Sequence, residues 1–184
     1  LKETDFVLSY LGSIGSWYML PEMLDFFKVL LEFKPKAKML FITPDEEQKI
    51  RAEVSCKGIG QEHIICHGVN RNDVPDLLSL TDLSVFFIKP VFSKQASSPT
   101  KLAEILGMGI PAIANAGVGD VDLIYKQHFP HLLVNEFSEN HYRKILKAYF
   151  SGPEINQKEL IEVARQYFSL TDGIDKYHEI YSKL

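Results

Sequence analysis

Apolar and polar positions follow two rhythms along this chain. Short apolar runs bounded by turn residues mark strands, and longer stretches with apolar residues three and four apart mark helices. Phe6–Leu11 stops at Gly12 and reads as a strand, and Pro21–Phe33 follows with Leu24, Phe27, Val29, Leu30 and Leu31 as helical apolar positions. Lys38–Thr43 is a second strand. Pro44 then opens a helix whose first turn is Asp45, Glu46 and Glu47, where carboxylates suit the positive end of the helix dipole. His63–Cys66 is a third strand, Asn72–Leu80 a short helix and Leu83–Ile88 a fourth strand. Thr100–Met108 is helical and closes at Gly109, Pro111–Ala114 is a fifth strand, Asp120–Gln127 is helical, and His131–Val134 is a short sixth strand. Three helices finish the chain, over Glu139–Phe150, Pro153–Tyr167 and Ile174–Leu184.

Strands alternating with helices predict an α/β fold: a three-layer, Rossmann-like doubly wound parallel sheet of about six strands. Ligands of such sheets bind outside the carboxyl ends of the strands. The loops to watch are therefore Gly12–Tyr18, His67–Arg71, Lys89–Thr100 and Ala114–Asp120. No repeat, low-complexity tract or linker divides the sequence, so residues 1–184 read as a single domain.

Composition narrows the function classes. Lys and Arg number 20 against 24 acids, for a net charge of −4 and a pI near 5.9. Without a global basic field, nucleic acid is not expected as the main partner. The longest apolar runs, such as Leu83–Ile88, fall far short of the roughly 20 residues that cross a bilayer. Cys56 and Cys66 are the two cysteines and form no CxxC, which points to a reducing cytoplasm rather than a disulfide framework or a zinc site. His63 and His67 flank a strand instead of sharing a helix face, so no metal is expected. The chain begins at Leu1 and enters a strand within a few residues, which reads as a piece of something longer.

Three loops hold candidate chemistry. In the first, Gly12, Ser13 and Gly15 permit close backbone approach to a ligand, but the spacing is neither GxGxxG nor GxxxxGK[ST]. A ligand loop and an ordinary tight turn both stay open there. In the second, Ser98 is placed to cap a helix and Pro99 to occupy its first position. The exposed N–H groups of that helix, joined by Lys101, form a receptor for a diphosphate, and Glu104 on the same face can accept hydrogen bonds from two vicinal hydroxyls. The plainer alternative is a capped surface helix with an exposed Lys101–Glu104 pair. In the third, Gly117–Asp120 follows the strand on the ligand side, where its backbone can touch a bound sugar while Asp120 caps the next helix; capping alone also accounts for Asp120. No GxSxG elbow occurs, and Tyr142, Tyr149, Tyr167, Tyr177 and Tyr181 read as aromatic packing.

Ser97–Asp120 (SSPTKLAEILGMGIPAIANAGVGD), with its glutamate-bearing helix, GxP turn, apolar strand and Gly-rich turn, resembles the donor-binding C-terminal domain of retaining family 4 (group 1) glycosyltransferases of the GT-B fold. The opening YLGSIGSWY and the segments Ile64–Val69 and Val74–Asp82 extend the resemblance, and Tyr177–Leu184 is similar to that family's terminal helix. The resemblance implies that Glu104 binds the ribose hydroxyls of a UDP-, GDP- or similar sugar donor and that Ser97, Ser98 and Thr100 hold its diphosphate beside a catalytic Lys101. It further implies that His67, Gly68 and Val69 border the base, that Gly12, Ser13 and Gly15 line the site, and that Gly119 and Asp120 lie near the sugar. No metal cofactor is implied. The expected whole is a hexosyl transfer enzyme acting on a glycan, lipid or other acceptor. This chain would be its donor half, inactive alone, with residues of about 153–184 packing on a missing N-terminal acceptor domain, which is also the route to any membrane association. A non-catalytic nucleotide-sugar module and a GT-B sugar epimerase domain are the alternatives. The sequence departs from the family pattern at Ala96, where the first glutamate of E-x7-E stands, and in the first loop, which lacks the usual arginine and lysine; Lys101 or Lys94 is left to supply that charge.

Overall fold

The computed structural model describes residues 1–68 and 70–183. In chain order the elements are β1 (Val7–Leu11), α1 (Leu20–Phe33), β2 (Lys38–Ile42), α2 (Glu47–Cys56), β3 (Ile64–His67), α3 (Val74–Leu78), β4 (Leu83–Phe86), α4 (Thr100–Gly107), β5 (Ala112–Asn115), α5 (Gly119–His128), β6 (Leu133–Val134), α6 (Glu139–Ser151), α7 (Gln157–Phe168) and α8 (Leu170–Tyr181). The six strands form one sheet in the order β3-β2-β1-β4-β5-β6, every pair parallel. β1, β4 and β5 are buried throughout, which is why they read as continuous apolar runs rather than as alternating ones. Helix α1 turns Leu20, Met23, Leu24, Phe26, Phe27, Val29 and Leu30 inward. It packs on α6, while α4 packs on α7.

Two polar contacts tie β4 and the residues just after it to the neighbouring strands. Ser9 on β1 and Ser84 on β4 are fully buried and bond each other, Oγ to Oγ at 3.2 Å. Asn115, at the end of β5, accepts from the Ile88 N–H at 2.7 Å and donates to the Ile88 carbonyl at 2.9 Å. Its side chain extends the β4–β5 ladder by one step and so aims the loop that begins at Lys89.

The structure moves several expected boundaries. Helix α2 begins at Glu47 because Asp45 turns away toward the first loop. Ser98 does not cap α4: Pro99 is the N-cap, with no side-chain hydrogen bond, because its extended ψ of 110° delays the helix to Thr100. Asp120 does not cap α5 either. Val118 is the N-cap, and Asp122, one half-turn on, accepts from the Gly117 N–H at 2.9 Å. Helix α7 starts at Gln157 behind an Asn156 cap, and α8 at Leu170 behind a Ser169 cap.

Tyr142 is buried and Tyr149 and Tyr167 pack against the core, as expected, but Tyr177 and Tyr181 are exposed. Helix α8 buries none of its residues. The accessible surface, 10,403 Å², accordingly exceeds the roughly 9,000 Å² expected for a monomer of this mass. Among the described residues, no helix is long and apolar enough to cross a membrane.

Candidate functional site

At the carboxyl ends of β1 and β2, facing the start of α4, the fold leaves a cleft of about 400 Å³. Gly12, Ser13 and Tyr18 line it from the loop after β1, Thr43 and Pro44 from the loop after β2, Arg71 and Val74 from beyond β3, and Thr100, Lys101 and Glu104 from α4. Another cavity, lined by His128, Tyr149 and Glu154, lies where α5 and α6 end. That is the amino-terminal side of the strands, away from the ligand crevice of such a sheet.

Lys101 is the unusual group. It is 6% exposed, and among the described residues it forms no ion pair. Its ammonium lies 3.7 Å from the Tyr18 ring centre and 4.4 Å from that of Tyr10, and it donates to Tyr10 Oη at 3.2 Å. Burial lowers its pKa to about 7, against the weaker upward pull of Glu104. The aromatic faces compensate the desolvated cation and hold it in place. Gly12 makes the approach feasible: at φ +110° it has no Cβ, and a Cβ there would stand 3.0 Å from Lys101 Nζ. The exposed Lys101–Glu104 pair of the plainer sequence reading is therefore not what the fold builds.

Glu104, one turn further along α4, is two-thirds buried and bonds Arg71 Nη2 through Oε1 at 2.8 Å. Arg71 itself is 85% exposed, so this pair is easily opened. Sequence reasoning missed Arg71; its place at the end of a ligand-side loop was the available signal.

The first loop is held by a carboxylate of the protein itself. Ser13 Oγ donates to Asp45 Oδ2 at 3.1 Å, and the Ile14 N–H donates to the same oxygen. These bonds, the Ile14 one foremost, hold the Asp45 carboxyl below its usual range. The Ser13 hydroxyl and the Ile14 N–H are thus engaged within the protein itself. Asp45→Asn is expected to lower stability by about 1 kcal/mol at neutral pH in urea unfolding. Because the folded pKa is depressed, the stabilisation is present above pH ~4 and disappears as pH falls through the folded value, so wild type and variant should converge in acid.

None of the other expected site residues that the structure describes lines this cleft. His67 and Gly68 are exposed at the end of β3, with the Thr43 N–H bonded to the His67 carbonyl at 3.2 Å. Val69 lies outside the described residues. Gly15, Ser97, Ser98, Gly119 and Asp120 do not line the cleft. Gly119 instead packs on the loop before α4: a Cβ on it would stand 2.1 Å from the Ser97 carbonyl oxygen, and the Asp120 N–H bonds that oxygen at 3.2 Å. Ala96 is exposed. Cys66 is half-buried and its thiol is pushed up to about 11, the reverse of an activated nucleophile. Among the described residues, no group of three His, Cys, Asp or Glu side chains is placed to hold a metal ion.

The fold matches the pneumococcal O-GlcNAc transferase GtfA, solved with UDP and GlcNAc, at a TM-score of 0.73 and 13% identity, over 97% of this chain and 35% of that one. It matches the lipopolysaccharide outer core galactosyltransferase WaaB at 0.68 and 18% identity, over all of this chain and 51% of that one. The catalytic domain of the Helicobacter pylori cholesterol-α-glucosyltransferase matches at 0.68 and 15% identity, over 89% of this chain and 99% of that one. This chain thus spans about a third to a half of the length of the first two. A search of curated sequences gives no match. The family profile described as Glycosyl transferases group 1 covers residues 1–167, nearly the whole sheet and its helices, and by that match the chain belongs to the group 1 glycosyl transferases.

Proposed function

We propose that this chain is the donor-binding part of a retaining glycosyltransferase, taking a nucleoside-diphosphate sugar in the cleft at the ends of β1 and β2. The observation that carries the reading is Lys101: a buried ammonium, held by two aromatic rings at the start of α4 and lining the same cleft as a carboxylate one turn further on. A desolvated cation is costly unless it meets an anion. A diphosphate supplies one, and the Thr100–Lys101 turn adds the positive end of α4. Glu104 then receives the ribose hydroxyls, through Oε2 at first and through both oxygens once Arg71 turns aside. In transfer, charge builds on the departing diphosphate, and Lys101 with the helix N–H groups stabilises it without a metal.

Ala96 in place of the family's first glutamate supports a second reading, a module that binds the donor without transferring its sugar. Sugar transfer by a complete protein carrying this domain separates the two. Leu170, Ile174, Tyr177 and Tyr181 leave an apolar stripe on α8, and we assign it to the acceptor-binding remainder of such a protein. Transfer by the 184-residue chain alone would overturn that division.

Glu104→Ala is the direct test of the ribose contact. Titration calorimetry with UDP and GDP is expected to show a ten- to hundredfold loss of affinity, the equivalent of one or two hydrogen bonds to a charged group. Unchanged affinity would remove Glu104 from the site.

A further inference from the structure

Tyr10 stands near the end of β1 and is fully buried, yet its hydroxyl reaches both the first loop and Lys101. A phenol has one proton to give. Tyr10 gives it to the Ser13 carbonyl at 2.5 Å, so the lone pairs of the same oxygen are what face Lys101 Nζ at 3.2 Å. The Ser13 carbonyl is itself held, because the Ser13 hydroxyl and the Ile14 N–H on either side of it are bonded to Asp45. A line of hydrogen bonds therefore runs from the loop after β2, through the first loop and Tyr10, to the ammonium in the cleft.

The direction of these bonds decides which form of Lys101 they satisfy. With the phenol proton spent on Ser13, the groups that meet Lys101 all offer it electron density: the Tyr10 oxygen, the ring faces of Tyr10 and Tyr18, and the Glu104 carboxylate one turn along α4. Asp45 adds negative charge beyond Tyr10, and Arg71, the other cation lining the cleft, is paired with Glu104. Such surroundings favour an ammonium, which has three protons to donate, over an amine, whose lone pair needs a donor. Burial pushes the Tyr10 phenol far above its ordinary value, so it keeps the proton it gives to Ser13. We propose that Tyr10 is a positioning residue of the donor site: its hydroxyl, oriented by the Ser13 carbonyl that Asp45 fixes in place, holds Lys101 in its charged form and aims it at the diphosphate. The inference rests on the reading of the cleft as a nucleoside-diphosphate site. It gives the first loop a task there that the Ser13 hydroxyl and the Ile14 N–H, both turned to Asp45, do not perform directly.

Tyr10→Phe keeps the ring and removes the hydroxyl alone. The Lys101 side chain is titrated in the free 184-residue chain by NMR of its ε-carbon, with Lys101→Met giving the assignment, and UDP affinity is measured against pH by calorimetry. The Lys101 midpoint is expected about one pH unit lower in Tyr10→Phe, the equivalent of one hydrogen bond to a charged group. UDP affinity should then lie within about threefold of wild type near pH ~5.5, where Lys101 is charged in both, and about tenfold below it near pH ~8. Asp45→Asn, which loosens the first loop, should move the midpoint the same way by less. A role confined to packing would weaken UDP binding equally at every pH. That result, or a midpoint unmoved in Tyr10→Phe, overturns the proposal; should Tyr10→Phe not fold, an unmoved midpoint in Asp45→Asn overturns it. UDP that fails to bind the wild type refutes the donor reading instead, and the two failures are told apart because the titration of the free chain needs no nucleotide.

Discussion

Lys101→Met is expected to weaken UDP binding ten- to hundredfold and, at the same time, to make the free domain more stable. The two effects have one cause. The ammonium is desolvated under Tyr10 and Tyr18; on the proposed function it meets a diphosphate there, and in the empty domain that desolvation opposes folding. Replacing it by an apolar side chain of similar length removes the buried charge, together with a charge-assisted bond to the ligand. The pH dependence sharpens the test. The folded pKa, about 7, lies below the ordinary lysine value of 10.5, so between these pH values the unfolded chain binds more protons and stability rises with pH. That rise should vanish in Lys101→Met. Nucleotide affinity runs the other way: it should hold below pH 7 and fall above it as the ammonium loses its proton, and binding should take up a proton. Calorimetry in two buffers of different ionisation heat measures that uptake. In a complete transferase the same variant should lose about a hundredfold or more in kcat, as expected for removing a donor to developing negative charge.

Gly119→Ala is the second large effect, and it acts through the backbone. The added methyl would stand 2.1 Å from the Ser97 carbonyl oxygen and 2.9 Å from the Ser97 carbonyl carbon and nitrogen. None of these is the end of a flexible side chain. Either α5 retreats from the sheet, where Val121, Ile124 and Tyr125 are fully buried, or the 94–99 loop moves. The loop is the weaker element, and with it goes the start of α4. The expected cost is about 2–3 kcal/mol, at the upper end for overpacking, with a drop of roughly 4–12 °C in Tm by calorimetry. UDP affinity should fall as well, although Gly119 does not line the cleft. Gly107→Ala is the control, since a Cβ there meets nothing within 4 Å and should leave both properties near wild type.

These cases show what a sequence of this kind makes legible. The central strands β1, β4 and β5 were readable because they are buried throughout and appear as apolar runs, and α1 and α4 because their apolar residues recur at helical spacing. Helix starts were harder, since Ser98 and Asp120 have the chemistry of caps but Pro99 and Val118 hold the backbone positions. Of the site, Lys101 and Glu104 were visible as residues of one helix face in a ligand-side position. Their environment was not, because it depends on residues far apart in sequence: Tyr10 lies 91 positions from Lys101, Arg71 lies 33 from Glu104, and Asp45 lies 31 from Ile14. Asn115 read only as part of the loop after the fifth strand, though an amide at a strand end, just before a glycine-rich turn, is the kind of group that bridges two backbones.

The central claim is that the cleft at the ends of β1 and β2 receives a nucleoside-diphosphate sugar, and an amide-resolved NMR titration of the chain with UDP tests it most directly. The account expects the largest shifts at Gly12, Ser13, Thr100, Lys101 and Glu104. Shifts centred instead on His128, Tyr149 and Glu154, at the other end of the sheet, or none at saturating UDP and GDP, would contradict it.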